Sequence, residues 1–167
     1  KSIYLFSPDD VEKYRKELNI KEHNDSTIKE DFFEFLEERD YSLSYKMPFL
    51  LAIVKHIDSI GDAKIEEVLD DYIAFYQNRL SRGLQVDRST CPYDEKMLKD
   101  RKAVQRNMLT NPFEKFERKR FLYYSKDLSV ISMNHALFGQ MKAEDWERVR
   151  KQMREDLRKY YDGMGGV

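Results

Sequence analysis

Between Ser44 and Ile57 the chain is apolar almost all the way round a helix: Phe49, Leu50, Leu51, Ala52, Ile53, Val54 and Ile57 leave no polar stripe. A helix of this kind cannot lie on a surface. It must be covered on every side by other elements. The chain has the means to cover it, since 41% of its 167 residues are hydrophobic and 10 Phe, 11 Tyr and 1 Trp supply large rings. That apolar content excludes a wholly disordered chain. The longest apolar run, Met47 to Val54, is eight residues, far short of the roughly 20 that cross a bilayer. Six Gly and four Pro argue for helices with few sharp turns and against a Gly-rich phosphate loop. One cysteine, Cys91, excludes an internal disulfide framework and fits a reducing, cytoplasmic setting. The start at Lys1 rather than Met, with no secretory signal, predicts a piece of a longer protein or a trimmed product.

Other helices are legible around this one. Ser7-Pro8-Asp9-Asp10 has a cap, an N1 proline and first-turn carboxylates, and predicts a helix through Leu18. Asn19 to Asp25 reads as a loop. A second acidic helix follows Ser26 or Thr27, with Ile28, Phe32, Phe35 and Leu36 at helical spacing. Ile60-Gly61-Asp62 breaks the apolar helix, and Asp62 is a candidate cap for the next one, which carries Ile65, Val68, Leu69, Tyr72, Ile73 and Tyr76 to a stop near Gly83. A basic helix is predicted from Asp94 to Leu109, with Leu98, Val104 and Met108 inward. Asn111-Pro112-Phe113-Glu114 predicts a restart, Asn111 capping and Glu114 reaching back to it. Phe121 to Tyr124 and Val130 to Met133 flank a polar turn and read as a hairpin. Asn134 caps a short helix. Ala143 to Tyr161 is a long one, seamed by Trp146, Val149, Met153, Leu157 and Tyr160. The expected divisions are 1–43, a helical segment packed on the core; 44–140, the core; and 141–167, a helix and tail.

The net charge of −1 conceals a segregation of sign. Residues 1–44 carry seven basic and twelve acidic side chains, residues 45–95 six and nine, and residues 96–120 nine and three. A basic segment in an otherwise acidic chain is the footprint of phosphate binding, or else of a solvated or internally docked helix face. Its position gives it meaning. Helices followed by a short capped helix and a hairpin make the order of a winged helix-turn-helix. Asn111 to Lys119 would be the recognition helix, Met97 to Leu109 the helix packed across it, and residues 120–133 the wing. The fold expected is therefore mainly α: a winged helix-turn-helix-like core with one β-hairpin, flanked by acidic N-terminal helices and a long C-terminal helix. Lys99, Lys102, Arg106, Lys115, Arg118, Lys119, Arg120 and Lys126 are the candidate contacts to duplex phosphates, which position a duplex without reading its sequence. Winged helices also bind proteins, so a protein-docking module is the alternative.

Catalytic patterns are weak. His23, His56 and His135 lack metal-ligand spacing, and Cys91 has no CxxC partner. The acidic pairs Asp9/Asp10, Glu66/Glu67 and Asp70/Asp71 are adjacent on helices and point to different faces. Glu117-Arg118-Lys119 matches half of a nuclease motif but lies on a helix without the required acidic strand. There is no G-x-x-x-x-G-K-[ST]. Neither a cofactor nor a catalytic residue is expected in this chain. Tyr41, Tyr45, Tyr72, Phe75, Tyr76, Tyr123 and Tyr124 could stack on bases, though their spacing suits core packing. In the hairpin either Tyr123 or Tyr124 must face outward.

Ser44-Tyr45-Lys46-Met47-Pro48-Phe49-Leu50-Leu51, Phe75-Tyr76-Gln77-Asn78-Arg79, Asn111-Pro112-Phe113-Glu114-Lys115-Phe116 and Phe121-Leu122-Tyr123-Tyr124 with Asp127 together resemble a C-terminal accessory region of bacterial DEAD/DEAH-box superfamily-two helicases of the restriction-enzyme type. The likeness covers roughly residues 41–161. Lys119-Arg120 replaces the small or glycine-containing pair often found before Phe121. The resemblance implies that an ATPase, and any nuclease, lie in upstream domains of the same protein, and that this region is an accessory without catalytic residues of its own.

Overall fold

The computed structural model describes residues 24–39 and 41–167. The helix expected from Ser7 to Leu18, the loop after it up to residue 23, and His23 lie outside the described residues. The described part is mainly helical with one small antiparallel sheet. The elements in chain order are α1 (Asn24–Glu37), α2 (Lys46–His56), β1 (Asp62–Lys64), α3 (Ile65–Ser81), α4 (Glu95–Lys99), α5 (Arg101–Thr110), α6 (Pro112–Arg118), β2 (Leu122–Ser125), β3 (Val130–Met133), α7 (His135–Gln140) and α8 (Ala143–Tyr160), and a 3₁₀ turn (Asp162–Met164) closes the series.

α2 is the apolar helix, and it is enclosed as its composition demands. Met47, Phe49, Leu50 and Ile53 have no exposed surface. α3 and α8 pack along it, and α6 touches it as well. The α8 seam supplies part of that cover: Val149, Met153 and Leu157 are buried, while Trp146 and Tyr160 are half-buried. α1 joins the same core through edge-to-face rings. Phe35 lies 5.1 Å from Phe116, and Phe32 lies 5.3 Å from Phe121. Polar clasps then tie α1 and its following turn to α8. Lys29 meets Asp145 at 3.0 Å, and buried Asp156 accepts from Arg39 Nε and the Tyr41 hydroxyl, each at 2.9 Å.

The hairpin forms as expected, and a third strand joins it. The order is β1-β3-β2, with Ala63 opposite Ile131 and Tyr123 opposite Ser132. Asp62 therefore does not cap α3. It sits in β1, where its carboxylate accepts from Ser132 Oγ at 2.6 Å, and Lys64 occupies the cap position without a side-chain bond. Ser129, at φ 54°, turns its carbonyl to the Ile65 amide at 2.9 Å and so links the hairpin to the start of α3.

Arg79 on α3 is charged and yet only 1% exposed. Its guanidinium donates to the carbonyls of Gln85, Met164 and Gly166 and lies 3.7 Å from the centre of the Tyr161 ring. It holds the chain after α8 against α3. Beside it, buried Asp87 accepts from the Ser44 amide at 2.9 Å and from the hydroxyls of Ser44 and Tyr160. The buried polar groups are thereby satisfied, as burial requires.

Candidate nucleic-acid interface

The basic segment is built from short helices, not one long one. Asp94 caps α4 by accepting from the Met97 amide at 2.8 Å, and Asp100 caps α5 by accepting from the Ala103 amide at 3.2 Å. The single helix expected from Asp94 to Leu109 is thus two, because Asp100 adopts a non-helical backbone (φ −94°, ψ 87°) that favours capping over continuation. Arg101 is withdrawn from any ligand. It binds Glu66 at 2.9 Å and Asp70 at 2.8 Å on α3. Lys99 meets Glu95 at 3.2 Å. Lys102 and Arg106 stand one turn apart on α5, exposed, with no acidic partner among the described residues.

α6 turns Phe113 and Phe116 inward and Lys115, Arg118 and Lys119 outward. The expected capping box does not form. The Asn111 side chain makes no cap bond; its amide donates at 2.8 Å to the Asn107 carbonyl at the end of α5. Glu114 instead pairs with Arg118 at 2.9 Å, one turn on. The helix ends on Arg120 at φ 65°. The Arg120 amide donates to Glu117 O and the Phe121 amide to Phe116 O, both at 2.9 Å. This is the two-bond stop that normally takes glycine in the left-handed position.

The hairpin presents Lys126 in its turn, with Leu128 beside it 72% exposed. Of the two tyrosines, Tyr123 faces out, 43% exposed. Tyr124 is half-buried against Phe113, their rings 6.3 Å apart. Tyr45, Tyr72 and Tyr76 are buried, Tyr41 and Phe75 half-buried.

Five of the eight candidate cations border two concavities. Lys99 and Lys102 border an open one at the α4–α5 elbow, together with Lys96 and Arg101. Lys115, Arg118 and Lys119 border a cleft of about 330 Å³ between α6, the C-terminal end of α1 and residues 41–46. Arg106, Arg120 and Lys126 line neither. The cleft also contains a cation that the sequence reasoning did not single out. Lys46 is 8% exposed and donates to the carbonyls of Phe35 at 2.7 Å and Glu38 at 3.4 Å. Its amine lies 4.0 Å from the Phe35 ring centre. Burial pulls its pKa down to about 8, and Lys115 and Arg39 push the same way against Glu38 and Asp156. The signal available was a lysine inside an apolar helix start, which must find partners or a ligand.

The catalytic candidates stay apart. His56 is bound to Asp71 at 2.7 Å, and Cys91 is half-buried beside the Tyr45 hydroxyl at 3.6 Å, where burial pushes its thiol up. His135 and Glu117 are exposed. Among the described residues no group of three His, Cys, Asp or Glu side chains is placed to hold a metal ion, and no helix is long and apolar enough to cross a membrane. Comparison with family models, curated proteins and solved structures finds no match to this chain.

Proposed function

We propose that this chain is a non-catalytic accessory module that holds duplex DNA by its phosphates, with the geometry of a winged helix. One observation carries the reading. Lys102, Arg106, Lys115, Lys119, Arg120 and Lys126 are exposed along α5, α6, its stop and the hairpin, and none has an acidic partner among the described residues. Arg101, in the same basic segment, is instead spent on Glu66 and Asp70. The sheet order β1-β3-β2, with α6 leading into β2, supports the same reading, because a hairpin beside a short exposed helix can lie on the backbone flanking a groove. The likeness to the accessory region of restriction-type superfamily-two helicases fits a module that keeps DNA near a motor. In that setting the upstream motor domains are its second partner. The apolar seam of α8 offers less to a protein-docking reading, since it is buried against α2.

A mobility shift with random-sequence duplex tests the proposal. Six phosphate contacts predict binding at ~50 mM salt and a loss of about a thousandfold in affinity by ~200 mM, as condensed counterions are released. Changing Arg118, Lys119 and Arg120 together to Glu should weaken the shift and leave the far-ultraviolet circular dichroism spectrum unchanged. No shift at ~50 mM would sink the reading.

A further inference from the structure

The cleft between α1, residues 41–46 and α6 has an excess of positive charge that the fold itself does not neutralise. Lys46 stands at its wall, and Lys115, Arg118 and Lys119 border it, against one lining carboxylate, Glu38. Among the described residues, Arg118 alone of the four has an acidic partner, Glu114. Lys46 is held by carbonyls and by the Phe35 ring, and among the described residues no carboxylate pairs with it directly, Glu38 and Asp156 acting on it from farther off. Lys119 lies 5.7 Å from the centre of the same ring. Two cations thus share one aromatic side chain at the edge of one cavity. An anion in the cleft would relieve the mutual repulsion of these cations and be attracted by each of them.

We infer that this cleft binds a phosphomonoester, a dianionic group with three free oxygens. The number of cations at the cleft favours a dianion over the single charge of a diester in a continuous strand. A diester carries one charge and is flanked by sugars on both sides, so it cannot turn three oxygens into a recess. A monoester carries between one and a half and two charges near neutral pH and protrudes from its carrier. Its oxygens can accept from the ammonium of Lys115, from the donors of Arg118 and Lys119 at the rim, and from the one N–H of Lys46 that the two carbonyls leave. Its carrier is either the end of a nucleic-acid strand or a small phosphate ester. The strand-end source rests on the DNA reading above, and the phosphate site itself does not.

The test has two arms on the same chain. In the first, inorganic phosphate is titrated at pH 7 while the lysine Cε resonances are followed by NMR. Saturable shifts of Lys46 and Lys115 are expected, and Lys115→Gln should weaken binding at least fivefold. Lys115 is exposed, so this variant keeps the test decisive even where Lys46→Met fails to fold. In the second arm, a short duplex bearing a 5′-phosphate is compared with its 5′-hydroxyl twin by fluorescence anisotropy. A preference of tenfold or more for the phosphorylated end, lost in Lys115→Gln, identifies a strand end as the carrier. Saturation by phosphate without that preference identifies a small ester, and saturation without any DNA binding removes the DNA reading while keeping the site. DNA binding with neither phosphate-induced shifts nor an end preference overturns this inference and leaves the DNA reading standing.

Discussion

Arg120 occupies a backbone position that costs a side-chain-bearing residue roughly 1–2 kcal/mol, because its Cβ crowds the following carbonyl at φ 65°. Glycine would relieve that strain, and it would forfeit about 0.4–1 kcal/mol through its freer unfolded chain. Arg120→Gly should therefore stabilise the protein by about 0.5–1 kcal/mol, raising Tm by about 1–4 °C for a chain of this size. The arginine is thus an expensive choice for the fold alone, which is intelligible if its exposed guanidinium has a partner outside the chain. The same variant should lower the slope of log affinity for duplex DNA against log salt by about 0.9, the share of one phosphate contact. Differential scanning calorimetry and a salt titration read the two effects separately. A drop in Tm would show that the Arg120 side chain supports the fold and is not strained by it.

At the scale of elements, what could be read from the sequence was whatever depends on neighbours in the chain. α2 was legible because eight apolar residues in a row suit no exposed element, and the hairpin because two β-prone runs flank a polar turn. β1 was not legible. Its Asp62-Ala63-Lys64 has no pattern of its own and becomes a strand through hydrogen bonds to β3, some seventy residues away in sequence. The break between α4 and α5 was hidden because Leu98, Val104 and Met108 continue an inward stripe across it, which made Asp100 look interior. Asn111 misled for a chemical reason: its amide can donate as well as accept, and the Asn107 carbonyl one turn back proved the better partner. Of the candidate interface, the cations were readable and their grouping was not, since Lys46 reaches the cleft only through tertiary packing. The elbow at Asp100 makes a direct prediction. Asp100→Ala removes the carboxylate that holds the Ala103 amide and should cost about 1 kcal/mol. Chemical denaturation measures it, and an unchanged midpoint would mean that α5 starts without its cap.

Across the whole molecule, the contacts that join the elements converge on Phe35. Its ring is 7% exposed, packs on Phe116 and Phe121, and lies beneath the Lys46 amine. It therefore joins α1 to α6, to the start of β2 and to the apolar helix α2. α1 is also held to α8 through Lys29, Arg39 and Tyr41. With rings on one side and ion pairs on the other, α1 has no separate core to melt around. The described residues should unfold in one step, so that far-ultraviolet circular dichroism, which follows all the helices, and the fluorescence of Trp146 on α8 give the same urea midpoint. Phe35→Ala removes a buried ring from that junction and should cost about 3 kcal/mol. Because the element it anchors is continuous with the rest, both signals should move together and by the same amount. Two resolved transitions, with the variant shifting only the earlier one, would mean that α1 is an appendage on an independent core, and the cleft it helps to wall would then open without the domain unfolding.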